Sequence, residues 1–283
     1  MALVTLKELL QDAKEKKYAV GSFNLNGLDD AQGMVNGAAQ LRSPIILMVG
    51  KGTLNFLGLQ QTAGMLRGMA NAADVPVCIH LDHATDISLI KAAVKAGFSS
   101  VMIDASAKDY ETNISESRLI AQFAKDYNCS VEAELGKLGG KEDDIDVSHS
   151  TFTRPADVPR FVEETGIDAL ALAFGSVHGF YKSEPKLDFD VLTGVAAATD
   201  CPLVLHGGTG IPESDIQKCI QIGIRKVNVG TEFKALYTHA LREAVARFPE
   251  TEIEPRSYMA LVREASAGLV KEKIALFGSA NKA

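Results

Sequence analysis

Two adjacent residues, Asp82 and His83, close the apolar run Val75-Pro76-Val77-Cys78-Ile79, which reads as a buried strand. A carboxylate and an imidazole at such a place are costly unless they are paired or bound to metal. His83 therefore reads as a metal ligand and Asp82 as a proton-transfer group. Two further histidines sit in glycine-rich stretches, Gly175-Ser176-Val177-His178-Gly179 and His206-Gly207-Gly208-Thr209-Gly210. Three imidazoles with an open fourth position form the donor set of a catalytic zinc site. Nitrogen donors favour Zn²⁺ over Mg²⁺, with Co²⁺ or Mn²⁺ as substitutes. The remaining histidines carry no such pattern: His80 reads as a satisfied interior residue, His149 as solvated in a polar loop, and His239 as surface on a late helix. One difficulty is geometric. Neighbours in a regular strand point to opposite faces, so Asp82 and His83 can share a site only if the chain turns. Ala84-Thr85-Asp86, a helix N-cap region, is the expected place for that turn.

These residues need elements to hold them. The pattern predicts strands at 19–23, 44–49, 75–81, 99–103, 130–133, 169–174, 202–205 and 226–229. Helices are expected at 5–16, 29–40, 60–73, 86–96, 110–127, 155–164, 188–198, 213–222, 231–247 and 258–277. The stretch from Gly136 to about Thr151 reads as a long structureless loop, the kind that serves as a functional lid. Continuous apolar strands alternating with helices mean a parallel sheet covered on its faces. Eight such units with no linker between them predict a single α/β domain over 1–283, a (β/α)₈ TIM barrel with an additional C-terminal helix. A doubly wound open sheet is the runner-up, weakened by the lack of GxGxxG after the first strand.

Composition narrows the function. The chain has 283 residues, 46% hydrophobic, with a net charge of −7 and no long basic stretch, which speaks against nucleic acid as a partner. No apolar run approaches the roughly 20 residues that span a bilayer, and the N-terminus lacks a signal-peptide pattern. The cysteines, 78, 129, 201 and 219, show no CxxC spacing; no disulfides and a cytoplasmic location are expected.

On this map Asn24, Asp82, His83, Asp104, Glu134, His178, His206 and Asn228 fall at or just beyond C-terminal strand ends, which in a barrel meet at one face. The glycine clusters Gly207-Gly208-Thr209-Gly210 and Asn228-Val229-Gly230-Thr231 follow strands seven and eight, where barrels often hold phosphate through exposed N–H groups and helix N-termini. Metal beside phosphate suggests cleavage of a C–C bond next to a carbonyl, with the ion as electron sink. A lysine Schiff base is the other route, but no lysine ends a strand; Lys226 begins the eighth.

With these residues in place, the sequence resembles the class II, zinc-dependent ketose-bisphosphate aldolases over essentially its whole length, closest to the shorter fructose- and tagatose-1,6-bisphosphate enzymes. The motifs are Leu81-Asp82-His83, Ser130 to Gly136, Gly139-Gly140-Lys141-Glu142-Asp143, Gly175 to Gly179, Leu205 to Gly210 and Lys226-Val227-Asn228-Val229. The resemblance implies reversible cleavage of a ketose 1,6-bisphosphate, fructose favoured over tagatose, to dihydroxyacetone phosphate and glyceraldehyde 3-phosphate. It implies His83, His178 and His206 as zinc ligands and Asp82 as proton donor to the aldehyde-derived oxygen. Glu142 then moves the proton on the dihydroxyacetone phosphate carbon, with the Asn24 and Asn228 amides near the enediolate. Asp104 and Glu134 match residues of a second, weaker divalent position or of the layer behind the zinc ligands. Gly179, Gly207, Gly208, Thr209, Asn228, Gly230 and Thr231 match the loops that hold one phosphate and a monovalent cation, Na⁺ or K⁺. Arg256 matches an arginine reaching the other phosphate across a homodimer or homotetramer. One departure stands out. Where the family often carries Ser or Thr after strand two, this chain has Val49-Gly50-Lys51-Gly52-Thr53, so Lys51 or Thr53 would have to serve the distal phosphate. A metal-assisted phosphosugar hydrolase and a non-catalytic phosphosugar-binding subunit are the competing readings.

Overall fold

The computed structural model describes residues 3–142, 145–147, 150–181 and 183–283, with backbone alone for 141–142 and 145–147. The strands are β1 (Val20–Asn24), β2 (Ile45–Val49), β3 (Val77–Ala84), β4 (Ser100–Ile103), β5 (Ser130–Leu135), β6 (Gly139–Glu142), β7 (Ile145–Val147), β8 (Ala169–Leu172), β9 (Val177–His178), β10 (Leu203–Leu205) and β11 (Ile224–Val229). Eight of them close into a barrel in the order β1-β11-β10-β8-β5-β4-β3-β2. The pairings are parallel, and Val20 to Phe23 of β1 register with Lys226 to Val229 of β11, which shuts the sheet and excludes the doubly wound alternative.

Helices α1 (Leu6–Lys16), α2 (Leu28–Gln40), α3 (Lys51–Leu57), α4 (Leu59–Ala72), α5 (Ile87–Ala96), α6 (Tyr110–Lys125), α7 (Val158–Thr165), α8 (Phe189–Ala198), α9 (Glu213–Ile222), α10 (Thr231–Arg247) and α11 (Pro255–Phe277) complete the fold. Strand residues of one parity face these helices and form the larger core, with Leu47, Ile79, Val101, Val131, Leu170, Leu205 and Val227 among them. The other parity faces inward. Near the N-terminal end, Val20, Ile46, Cys78, Met102 and Val204 pack with Leu6, Leu9, Leu10 and Ala13 of α1, which plugs the barrel. Helix α1 begins at a capping box: Thr5 Oγ1 accepts from Glu8 N (3.2 Å), and Thr5 N donates to Glu8 Oε2 (2.7 Å). With the bottom filled by apolar side chains, the inward positions nearer the C-terminal rim are left to polar ones.

Four expectations need correction. The 136–151 stretch is not structureless: β6 and β7 form an antiparallel ladder, and β6 pairs in parallel with β9, which lies in the glycine-rich Gly175–Gly179 stretch. Its residues are glycine-rich and polar, so their pairing comes from tertiary context rather than from an apolar pattern. An additional helix, α3, starts at Lys51. Strand β11 begins at Ile224 rather than Lys226, which places Lys226 inside the strand. Helix α11 begins at Pro255, placing Arg256 in its first turn; proline is well suited to that first position. All four described cysteines are free thiols, and no described helix is long and apolar enough to cross a membrane.

Candidate active site and metal centre

The turn that Asp82 and His83 require occurs at His83 itself, earlier than the Ala84–Asp86 region expected. The β3–β4 register slips between Leu81 and Ala84, and His83 takes φ +43°. A left-handed residue other than glycine costs about 1–2 kcal/mol. A local bulge re-aims a side chain: Asp82 keeps the inward parity of Cys78 and His80, and His83 is swung onto the same rim. Asp86 then caps α5, accepting from Ser88 N at 2.7 Å.

Three imidazoles converge there. Ligand-type nitrogens of His83, His178 and His206 lie within 4.8 Å of one another. His83 Nε2 and His206 Nδ1 face each other at 2.7 Å, and the His178 ring stands edge-on to His83 with centroids 4.7 Å apart. The far nitrogens of two rings are held by carboxylates. His83 Nδ1 donates to Asp104 Oδ2 (2.9 Å), and buried His206 Nε2 donates to Glu132 Oε1 (2.7 Å). A carboxylate behind each ring fixes its orientation and raises its basicity as a metal ligand. The donor set and its backing therefore fit a zinc-type ion. Asp104 and Glu134 also form a donor group with His83 within 4.8 Å. Glu134 Oε2 is buried with no hydrogen-bond partner among the described residues, while Oε1 accepts from Leu138 N (3.2 Å).

The carboxylates here are driven apart electrostatically. Burial pushes Glu134 up to about 8, and the Asp104 carboxylate adds to it. Burial would raise Asp104 too, but the His83 hydrogen bond and charge hold it well below the usual range. Asp82 is opposed by burial and still lies well below its ordinary value, because His83, the His80 hydrogen bond, His206 and Lys226 outweigh desolvation. His206 is pushed down to about 4, by burial first and then by the neighbouring His83. Asp82 is thus a buried anion beside the converging imidazoles, the state a proton acceptor needs. Its Oδ1 accepts from Asn228 Nδ2 at 3.3 Å.

Two pockets flank the triad. One, of about 170 Å³, is lined by His83, Asp104, Glu134 and His178 together with Thr85, Ser106, Lys137 and Gly140. The other is a small cleft lined by Met48, His178, Gly179, Gly207, Thr209, Asn228, Gly230 and Thr231. Its floor is backbone-rich and lies beside the N-terminus of α10, a setting suited to phosphate. Gly207 is required by its turn: φ is +66°, and a Cβ there would overlap Val177 O. Tyr181 ties the two histidine loops together, accepting from Val177 N and donating to Gly207 O, both at 3.1 Å.

The class-II fructose-bisphosphate aldolase family model matches residues 4–282. The chain is 44% identical over 286 residues to a fructose-bisphosphate aldolase of Staphylococcus epidermidis and 43% identical to a probable fructose-bisphosphate aldolase of Bacillus subtilis, covering 100% of both partners in each case. The chain belongs to the class-II fructose-bisphosphate aldolase family, whose members are metal-dependent lyases. Among solved structures, the YdjI aldolase of Escherichia coli K12 superposes with a TM-score of 0.89 at 36% identity, covering 99% of each chain.

The structure brings together most of the residues expected at the site from the sequence. Gly208 does not line the small cleft; its N–H donates to Asn228 O (3.0 Å). Asn24 is buried at the end of β1. Lys51 is exposed at the start of α3, and Thr53 Oγ1 donates to Leu25 O (3.3 Å). Arg256 is exposed and paired with Glu254. The backbone of Glu142 lies in β6, but its side chain, like His149, falls outside the described residues. Sequence reasoning missed Glu132 and Lys226 and gave His80 only an interior role. Strand parity carries the signal: each lies two residues before a rim residue on the same inward face, Glu134, Asn228 and Asp82.

The lid-side hairpin is coupled to a histidine of the triad. Gly140 registers with His178 across β6 and β9, has φ +100°, and would overlap His178 O if it carried a Cβ. Gly140→Ala is expected to lower zinc affinity about tenfold, in the range of lost ligand support, with a smaller fall in melting temperature. Metal competition with a chromophoric chelator checks this; unchanged affinity refutes the coupling.

Proposed function

We propose that the protein is a zinc-dependent aldolase that reversibly cleaves fructose 1,6-bisphosphate to dihydroxyacetone phosphate and glyceraldehyde 3-phosphate. The observation that carries the reading is the convergence of three imidazoles, two of them backed by carboxylates, beside the buried anion Asp82. The full-length relatives named fructose-bisphosphate aldolase support the substrate. His83, His178 and His206 hold the zinc, which when bound acts as a Lewis acid at the substrate carbonyl and offsets charge as the C–C bond breaks. In cleavage Asp82 takes the proton from the hydroxyl that becomes the aldehyde, and in condensation it returns it. Glu142 moves the proton on the dihydroxyacetone phosphate carbon. The amides of Asn24 and Asn228 orient the oxygens of that fragment. Gly179, Gly207, Thr209, Gly230 and Thr231 cradle its phosphate and a monovalent cation. Lys51, and Arg256 from a second copy in a homo-oligomer, serve the distal phosphate. Asp104 orients His83, and Asp104 and Glu134 together with His83 offer a second divalent position.

A coupled triose-phosphate assay on fructose and tagatose bisphosphates, with and without chelator, tests this. Chelator-sensitive turnover with preference for the fructose substrate is expected. Activity that survives metal removal, or release of inorganic phosphate in place of triose phosphate, refutes it.

A further inference from the structure

Beneath the triad the barrel holds a second group of converging donors. His80, Asp82 and Glu132, all buried, present ligand-type atoms within 4.8 Å of one another, the arrangement a cation would use. A cation from the chain itself is already among them. Lys226 is 0% exposed; its Nζ donates to Glu132 Oε2 at 2.8 Å and lies 3.3 Å from His80 Nε2. A lone buried ammonium or carboxylate would be strongly unfavourable, so each secures the other. An ammonium held in this way is not a free amine nucleophile, in keeping with the metal route.

The pair is wired to the site on both sides. The other Glu132 oxygen, Oε1, accepts from His206 Nε2, and His206 Nδ1 is the nitrogen turned toward His83. On the other side, His80 Nδ1 meets Ser100 Oγ at 2.8 Å, and its Nε2 lies 3.6 Å from Asp82 Oδ1. Losing Lys226 would leave Glu132 free to rotate away from His206.

We infer that Lys226 is a positioning residue of the aldolase site: its ammonium is a built-in cation that holds Glu132 against His206 Nε2 and so decides that Nδ1 is offered to the metal. This rests on the zinc reading of the triad above.

The test uses the full chain and zinc alone. Zinc affinity is measured by competition with a chromophoric chelator, and the cobalt(II) visible spectrum is recorded. Lys226→Met, close in length and uncharged, is expected to bind zinc at least tenfold more weakly, as lost support of a ligand ring does, with an altered cobalt spectrum in the folded protein. Lys226→Met/Glu132→Gln keeps an acceptor for His206 without a stranded charge and is expected to recover most of that affinity. Parent-like zinc affinity in folded Lys226→Met, or no recovery in the double variant, overturns the inference. A third measurement needs no variant: in zinc-loaded, ¹⁵N-histidine-labelled parent, His206 should carry a carboxylate-bonded proton on Nε2. Zinc on Nε2 overturns the inference even where both variants fail to fold. A parent that binds no zinc refutes the function proposed above instead.

Discussion

His206→Ala is expected to bind zinc more weakly than the roughly 10–100-fold that losing a ligand's supporting group costs. Turnover on fructose 1,6-bisphosphate should fall on the order of 10³-fold or more, because a bound metal supplies several kcal/mol at the transition state and each 1.4 kcal/mol is tenfold. The protein should still fold. His206 is fully buried, but the carboxylate it leaves behind, Glu132, stays paired with Lys226 at 2.8 Å, so no buried charge is orphaned. What is lost is one ring's packing, about 2–4 kcal/mol on the scale of buried large-to-small changes. Zinc content after dialysis, melting temperature and the coupled assay read the three effects separately. A variant that retains stoichiometric zinc and near-parent turnover would remove His206 from the metal set.

That separation between a ligand and what stands behind it also marks how far the sequence could be read. The barrel was legible because parallel strands buried on both faces are apolar runs, and their C-terminal ends gather the polar residues at one rim. His83, His178 and His206 were found because they break that apolar pattern at its edge. Glu132, His80 and Lys226 break it too, but inside the strands, where a single polar residue reads as an isolated interior group. Only closure of the sheet brings β3, β5 and β11 face to face across the barrel and turns three isolated residues into one cluster. The β6–β9 pairing was hidden for a different reason. Its strands are short and glycine-rich, and their ladder exists because the His178 loop offers an edge. Nor could residue types alone show that His83 takes a left-handed backbone, since that follows from the register slip against β4.

Asp82 offers the sharpest test of how the chemistry is divided. Asp82→Ala is expected to lower turnover by about 10²–10⁴-fold, the usual worth of a positioned acid–base group, while zinc content stays at the parent level. The carboxylate lies beside the metal set without belonging to it: it faces His80 and Asn228, and the triad's nitrogens converge without it. It is held ionised chiefly against its own burial by His83, His80, His206 and Lys226, so removing it relieves a buried anion and should not unfold the chain. The partial reaction decides its role. Exchange of the dihydroxyacetone phosphate carbon proton with solvent needs the metal and Glu142 but no aldehyde oxygen to protonate. That exchange should persist in Asp82→Ala within about tenfold of the parent, well short of the loss of cleavage expected from a missing acid–base group. If exchange collapses together with cleavage, Asp82 acts at the carbon as well as at the oxygen. If cleavage survives at the parent rate, the aldehyde proton comes from elsewhere on the rim, and Asp82 only balances the charge around Lys226.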